Sequence, residues 1–155
     1  MNADSMNMIP ETTETEETTT PRASHEPISV LLADDHTILR AGLRMMLSVQ
    51  PDLEIVGEAS DGRQAIVEAQ RLQPDVILMD ASMPVLDGWQ ATRELKSNPA
   101  TEHIPILALT AHAFDDARQQ AKAVGCDGFV TKPCLPDDLV ARVRATLEGG
   151  QKKLP

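Results

Sequence analysis

Five short apolar runs, each followed by a longer stretch of helical period, restrict this chain to few architectures. Ile28–Ala33 is almost wholly apolar, as expected of a strand covered on both faces. Leu53–Ala59 reads as a second strand, Val76–Met79 as a third, Ile104–Leu109 as a fourth and Gly128–Thr131 as a short fifth. After the first run, His36–Val49 carries Ile38, Ala41 and Met45, and beside them Leu39, Leu43 and Met46, at helical spacing until Gln50-Pro51-Asp52 ends it. Asp61 is placed to cap a helix bearing Ala65, Ile66, Ala69 and Leu72, which Pro74 stops. Further helices are predicted near Gly88–Ser97 and Asp115–Val124. The last runs from Pro136 to about Leu147, with Leu139, Val143 and Leu147 in register. Such alternation predicts a doubly wound α/β fold: a five-stranded parallel sheet with right-handed crossovers and helices on both faces.

A chain of 155 residues that is 41% apolar can build one sizeable core. Residues 1–27 combine six Thr and six acidic residues with a single Arg, too little apolar surface to offset ordering entropy, and are expected to be a disordered acidic tail. Residues 28–148 are then the folded domain, and 149–155 a flexible C-terminal tail. The net charge of −10 and pI of about 4.7 argue against a surface that neutralises nucleic-acid phosphates. No window approaches the roughly 18 apolar residues of a membrane span, and no signal-like start is visible, so a cytoplasmic location is expected. Cys126 and Cys134 lack zinc-site spacing and read as reduced thiols.

In a doubly wound sheet the functional crevice lies at the carboxyl ends of the strands, near the point where strand order reverses. The chemically informative residues fall there. Asp34-Asp35 follows the first strand, Asp80 the third, Thr110 the fourth and Lys132 the fifth. Each alone is weak, since a strand-end Asp is more often a helix cap. Together they put three carboxylates in one crevice, where each pair would repel by roughly 1–4 kcal/mol at about 4 Å. A hard divalent cation answers that charge, and Mg²⁺ suits all-oxygen ligation while keeping positions for water and phosphate oxygen. Lys132 can add a second positive charge.

These residues resemble the receiver domains of bacterial response regulators in two-component signalling, and the resemblance spans Ile28 to about Leu147. It is carried by Leu31-Leu32-Ala33-Asp34-Asp35, by Asp75-Val76-Ile77-Leu78-Met79-Asp80 with Met83-Pro84 and Asp87-Gly88, by Leu109-Thr110-Ala111, and by Thr131-Lys132-Pro133. The resemblance implies a flavodoxin-like sheet of strand order 2-1-3-4-5, with Asp80 as phosphoacceptor. It implies Mg²⁺ held by Asp34, Asp35 and Asp80 with the Ser82 backbone carbonyl, Asp35 being the direct ligand of the acidic pair. Thr110 and Lys132 would engage the phosphoryl group, and Phe129 would be the switching aromatic coupled to Thr110. The bond before Pro133 is expected to be cis. Similarity to stand-alone receivers of the chemotaxis and cell-cycle type implies a single-domain switch rather than an enzyme. Its partners would be a histidine kinase or histidine phosphotransfer protein and a downstream protein target, with no direct nucleic acid and no membrane.

Ser82 and His112 occupy positions that in this family line the path of the hydrolytic water, so they would tune phosphoryl lifetime. Trp89 is read as a packing residue. Two rival readings fit the sequence less well. An aspartyl-phosphate hydrolase would carry a second Asp where this chain has Ser82, and it would need a cap domain. A silent interaction module on the same fold would normally have lost one of Asp34, Asp35, Asp80, Thr110 and Lys132, and all five are present.

Overall fold

A computed structural model describes residues 26–111 and 115–152. Almost all of the expected acidic tail, His112 and residues 153–155 lie outside the described residues. The elements alternate strictly: β1 Ile28–Ala33, α1 Thr37–Ser48, β2 Leu53–Ala59, α2 Gly62–Leu72, β3 Val76–Asp80, α3 Gly88–Ser97, β4 Ile106–Thr110, α4 Asp115–Val124, β5 Gly128–Thr131 and α5 Pro136–Lys152. All strand pairs are parallel, in the order β2-β1-β3-β4-β5. This is the doubly wound five-stranded sheet that the alternation predicted.

Pleating divides the strand residues between two cores, one on each face of the sheet. Val30, Leu32, Val76, Leu78, Leu107 and Leu109 pack with Leu43 and Leu47 of α1 and Leu139, Val140 and Val143 of α5. Leu31, Ala33, Ile77, Met79 and Ile106 pack with Ala65 and Ile66 of α2 and Ala91 and Leu95 of α3. Burial on both faces is why these strands read as continuous apolar runs rather than as alternating ones.

Helix starts follow their caps. The Asp61 carboxylate accepts the Gln64 N–H at 2.8 Å and opens α2, and Asp87 accepts the Gln90 N–H at 2.9 Å and opens α3. Three expectations shift. β4 begins at Ile106 instead of Ile104, because Pro105 has no N–H for the ladder and the Ile104 N–H turns back to the Thr101 carbonyl at 3.0 Å. α1 buries Leu43 and Leu47 but leaves Ile38 88% and Met45 69% exposed, so only one of its two apolar stripes faces the core. The backbone of α5 stays helical to Lys152, past the expected end near Leu147. Gly149 and Gly150 weaken a helix by about 1 kcal/mol each without blocking its hydrogen bonds.

Candidate functional site: an acidic cleft at the strand ends

Register alone gathers the predicted residues. Ala33 pairs with Met79, Asp80 with Leu109, and Thr110 with Thr131. Asp34, Asp80, Thr110 and Lys132 therefore emerge along one edge of the sheet. The switch point lies between β1 and β3, because the chain leaves β1 toward β2 and returns across it to β3.

Asp34 is fully buried and Asp80 is 2% exposed. The Lys132 ammonium stands between them, 3.5 Å from Asp34 Oδ2 and 3.4 Å from Asp80 Oδ1. The Ser82 N–H donates to Asp80 Oδ1 at 3.2 Å, and the His36 N–H donates to Asp34 Oδ1 at 2.8 Å. Thr110 is tied to this arrangement by its carbonyl, which accepts the Lys132 N–H at 2.7 Å. The Lys132–Pro133 bond is cis, as the resemblance implied. A cleft of about 530 Å³ opens over Asp80, walled in part by His36, Ser82, Trp89, Thr110 and Lys132.

Charge does not balance among these groups. Burial, with repulsion from Asp34 adding to it, pushes the Asp80 carboxyl above the usual carboxylate range, against the pull of the Ser82 N–H and Lys132. One ammonium faces three carboxylates. Asp34 Oδ2, Asp35 Oδ1 and Asp80 Oδ2 are buried and accept no hydrogen bond. Buried carboxylate oxygens left this way are costly unless a cation takes them up, and oxygen donors alone suit a hard divalent ion. The donor set fits Mg²⁺.

Not every predicted residue joins the cleft. Phe129 faces a separate groove shared with Thr131, Cys134 and Leu135, with the Arg118 guanidinium of α4 5.4 Å from its ring centroid. Asp87 caps α3 while also lining the cleft rim. Conversely, Trp89, read as a packing residue, is half-buried and forms part of the cleft wall. Two residues were missed. His36 reaches the carboxylates, and Arg40, one helical turn later, donates from its guanidinium to the Asp34 carbonyl and to Glu58 Oε1 at 2.8 Å. The available signal was their position directly after Asp34-Asp35.

Fold and cleft together define a doubly wound α/β module with a buried acidic cluster at its strand ends. The chain belongs to the family described as the response regulator receiver domain, whose profile matches residues 30–144. It is 34% identical to the nitrate/nitrite response regulator protein NarL of Escherichia coli over 82% of its own length and 58% of that protein's. It is 39% identical to the response regulator protein VraR of Staphylococcus epidermidis over 79% and 57%. The chain thus spans somewhat over half the length of these curated relatives. Among solved structures, the receiver domain of the sensor histidine kinase PA1611 of Pseudomonas aeruginosa, with a magnesium ion coordinated in its active-site cleft, matches with a TM-score of 0.72 at 30% identity. That match covers 79% of this chain and 98% of the other. The chemotaxis protein CheY4 of Vibrio cholerae matches with a TM-score of 0.70 at 30% identity, covering 77% and 98%. Receiver domains are signalling switches of two-component systems, and among the described residues no helix is long and apolar enough to cross a membrane.

Proposed function

We propose that Asp80 accepts a phosphoryl group from a histidine kinase or histidine phosphotransfer protein in a Mg²⁺-dependent reaction, and that the acyl phosphate switches the module's contacts with protein partners or relays onward. The observation that carries this reading is the Asp80 carboxylate itself, buried at the cleft floor with Lys132 at 3.4 Å and Asp34 and Asp35 beside it. An Asp80 oxygen attacks phosphorus, the bond from phosphorus to the donor's imidazole nitrogen breaks, and that imidazole leaves with the electron pair. Asp34, Asp35 and Asp80, with the Ser82 carbonyl, would hold Mg²⁺, which neutralises charge on the phosphoryl oxygens. Lys132 would counter the same charge, and the Thr110 hydroxyl would bond a phosphoryl oxygen. Phe129 would respond to Thr110 as the switching aromatic, moving from its outward position.

The test is phosphorylation by acetyl phosphate with Mg²⁺. Incorporation should be hydroxylamine-labile, abolished in Asp80→Asn, and accompanied by a Trp89 emission change that beryllofluoride with Mg²⁺ reproduces. Full incorporation into Asp80→Asn would overturn the assignment.

A further inference from the structure

Arg40 does not line the cleft, yet its side chain holds the backbone on which the acidic pair is built. It stands on α1, one turn after His36, and its side chain is only 18% exposed. From Nη1 it donates to the Asp34 carbonyl, and from Nε to Glu58 Oε1 of β2 at 2.8 Å. Glu58 is held a second time by Arg44, one turn further along α1, with 3.3 Å between Nε and Oε2. A planar guanidinium serves two acceptors at fixed angles, which a flexible ammonium does not.

The carbonyl matters because of the peptide to which it belongs. The Asp34 carbonyl and the Asp35 N–H share one plane, so fixing the oxygen fixes the direction in which the chain enters Asp35. The neighbouring peptides are held by other groups: the Asp34 N–H donates to the Ala59 carbonyl at 2.9 Å, and the His36 N–H to Asp34 Oδ1 at 2.8 Å. Among the described residues no other donor reaches the Asp34 carbonyl, so the plane between the two acids rests on Arg40. Just beyond that plane, Asp35 Oδ1 is buried and accepts no hydrogen bond.

We propose that Arg40 is a positioning residue for the cation site: anchored to Glu58, it sets the Asp34–Asp35 peptide plane and so aims the Asp35 carboxylate at the metal. The proposal rests on the reading of Asp34, Asp35 and Asp80 as Mg²⁺ ligands. The sign of the effect separates positioning from charge. A guanidinium near three carboxylates lowers their pull on a cation, so by charge alone its removal would tighten Mg²⁺ binding. Removal of a positioning contact weakens binding instead, as loss of the groups that orient metal ligands does, by roughly 10- to 100-fold.

Calorimetric titration of the whole chain with MgCl₂, in wild type, Arg40→Met and Arg40→Lys, tests it. Arg40→Met keeps an apolar stem and removes both donors, so its Kd for Mg²⁺ should rise by roughly tenfold or more. The Mg²⁺ concentration for half-maximal phosphorylation by acetyl phosphate should rise with it, by far more than the rate at saturating Mg²⁺ falls. A purely structural role would lower the urea midpoint in EDTA and leave the Kd of the folded protein unmoved. Arg40→Lys keeps the charge and one donor, and should raise the Kd by about threefold. Unchanged or tighter Mg²⁺ binding in Arg40→Met would overturn the assignment, and should that variant misfold, wild-type affinity in Arg40→Lys would do the same. Absence of Mg²⁺ binding to wild type would instead remove the cation site itself, whereas Mg²⁺ binding without phosphorylation would contradict only the phosphoacceptor reading.

Discussion

Gly88 lies against the carbonyl oxygen of Asp80 so closely that a Cβ added to it would sit 2.0 Å from that oxygen and 2.9 Å from the Ala81 Cα. The contact folds the loop after β3 back onto the candidate phosphoacceptor, and the Gly88 N–H secures it by donating to the Ala81 carbonyl at 3.0 Å. Both obstacles are backbone and cannot swing aside. Gly88→Ala should therefore displace the loop, destabilise the fold by about 1–3 kcal/mol in urea titration and weaken Mg²⁺ binding. Unchanged stability and unchanged Mg²⁺ affinity would show that the loop absorbs the methyl group.

Lys132 is the only ammonium within 4 Å of both Asp34 and Asp80 among the described residues. Lys132→Met keeps length and loses charge, so it leaves two buried carboxylates without their counter-ion. Phosphorylation by acetyl phosphate should slow by roughly tenfold or more, since a charge-assisted contact to the phosphoryl group is lost. Rates measured at saturating Mg²⁺ decide this, and a rate within twofold of wild type would remove Lys132 from the chemistry.

Val85 adopts φ +67°, and the Leu86 N–H donates to the Pro84 carbonyl at 2.6 Å across it, forming a tight three-residue turn. A β-branched residue in that region is strained, typically by about 1–2 kcal/mol, and Val85 is 78% exposed, so it gains little packing in return. Val85→Asn should stabilise the protein by about 1 kcal/mol, read as a rise in urea midpoint at constant slope. A fall in midpoint would mean that the valine side chain contributes contacts outweighing the strain.

Cys126 packs against the α3 side of the sheet, and burial pushes its thiol up to about 11. The folded state therefore holds the proton more tightly than the unfolded chain. Its contribution is complete below about pH 9 and is lost as pH rises through about 11. Wild type should lose on the order of 2 kcal/mol more than Cys126→Ala between pH 8 and 11. Parallel urea titrations at the two pH values check the sign and the size, and identical pH profiles would count against a buried thiol.

The sequence was most legible where one local cause dominates. Ile28–Ala33 and Val76–Met79 are apolar because both of their faces are covered, and Asp61, Asp87 and Pro74 mark helix ends by chemistry that needs no partner from elsewhere. Ile104 misled because it is core-buried without being in the strand, and hydrophobicity alone does not register the N–H that Pro105 lacks. Asp34, Asp80, Thr110 and Lys132 were legible as strand-end residues because parallel register brings strand ends together. Trp89 and His36 were not, since membership of the cleft wall depends on how α1 and α3 enter from their loops. Phe129 meets Arg118, a residue on another element, and such a contact leaves no periodic trace in the chain.

A cleft assembled from the ends of β1, β3, β4 and β5 has no counterpart in an unfolded chain, because Asp34 and Lys132 meet only when the whole sheet has closed. Any ion that settles there thus ballasts the native state by mass action, by about 2.7 kcal/mol at a hundred times its Kd. Divalent ion supply would then govern how long the protein survives proteases and heat as well as how it signals. A chelator would shorten its lifetime before any phosphoryl group arrives.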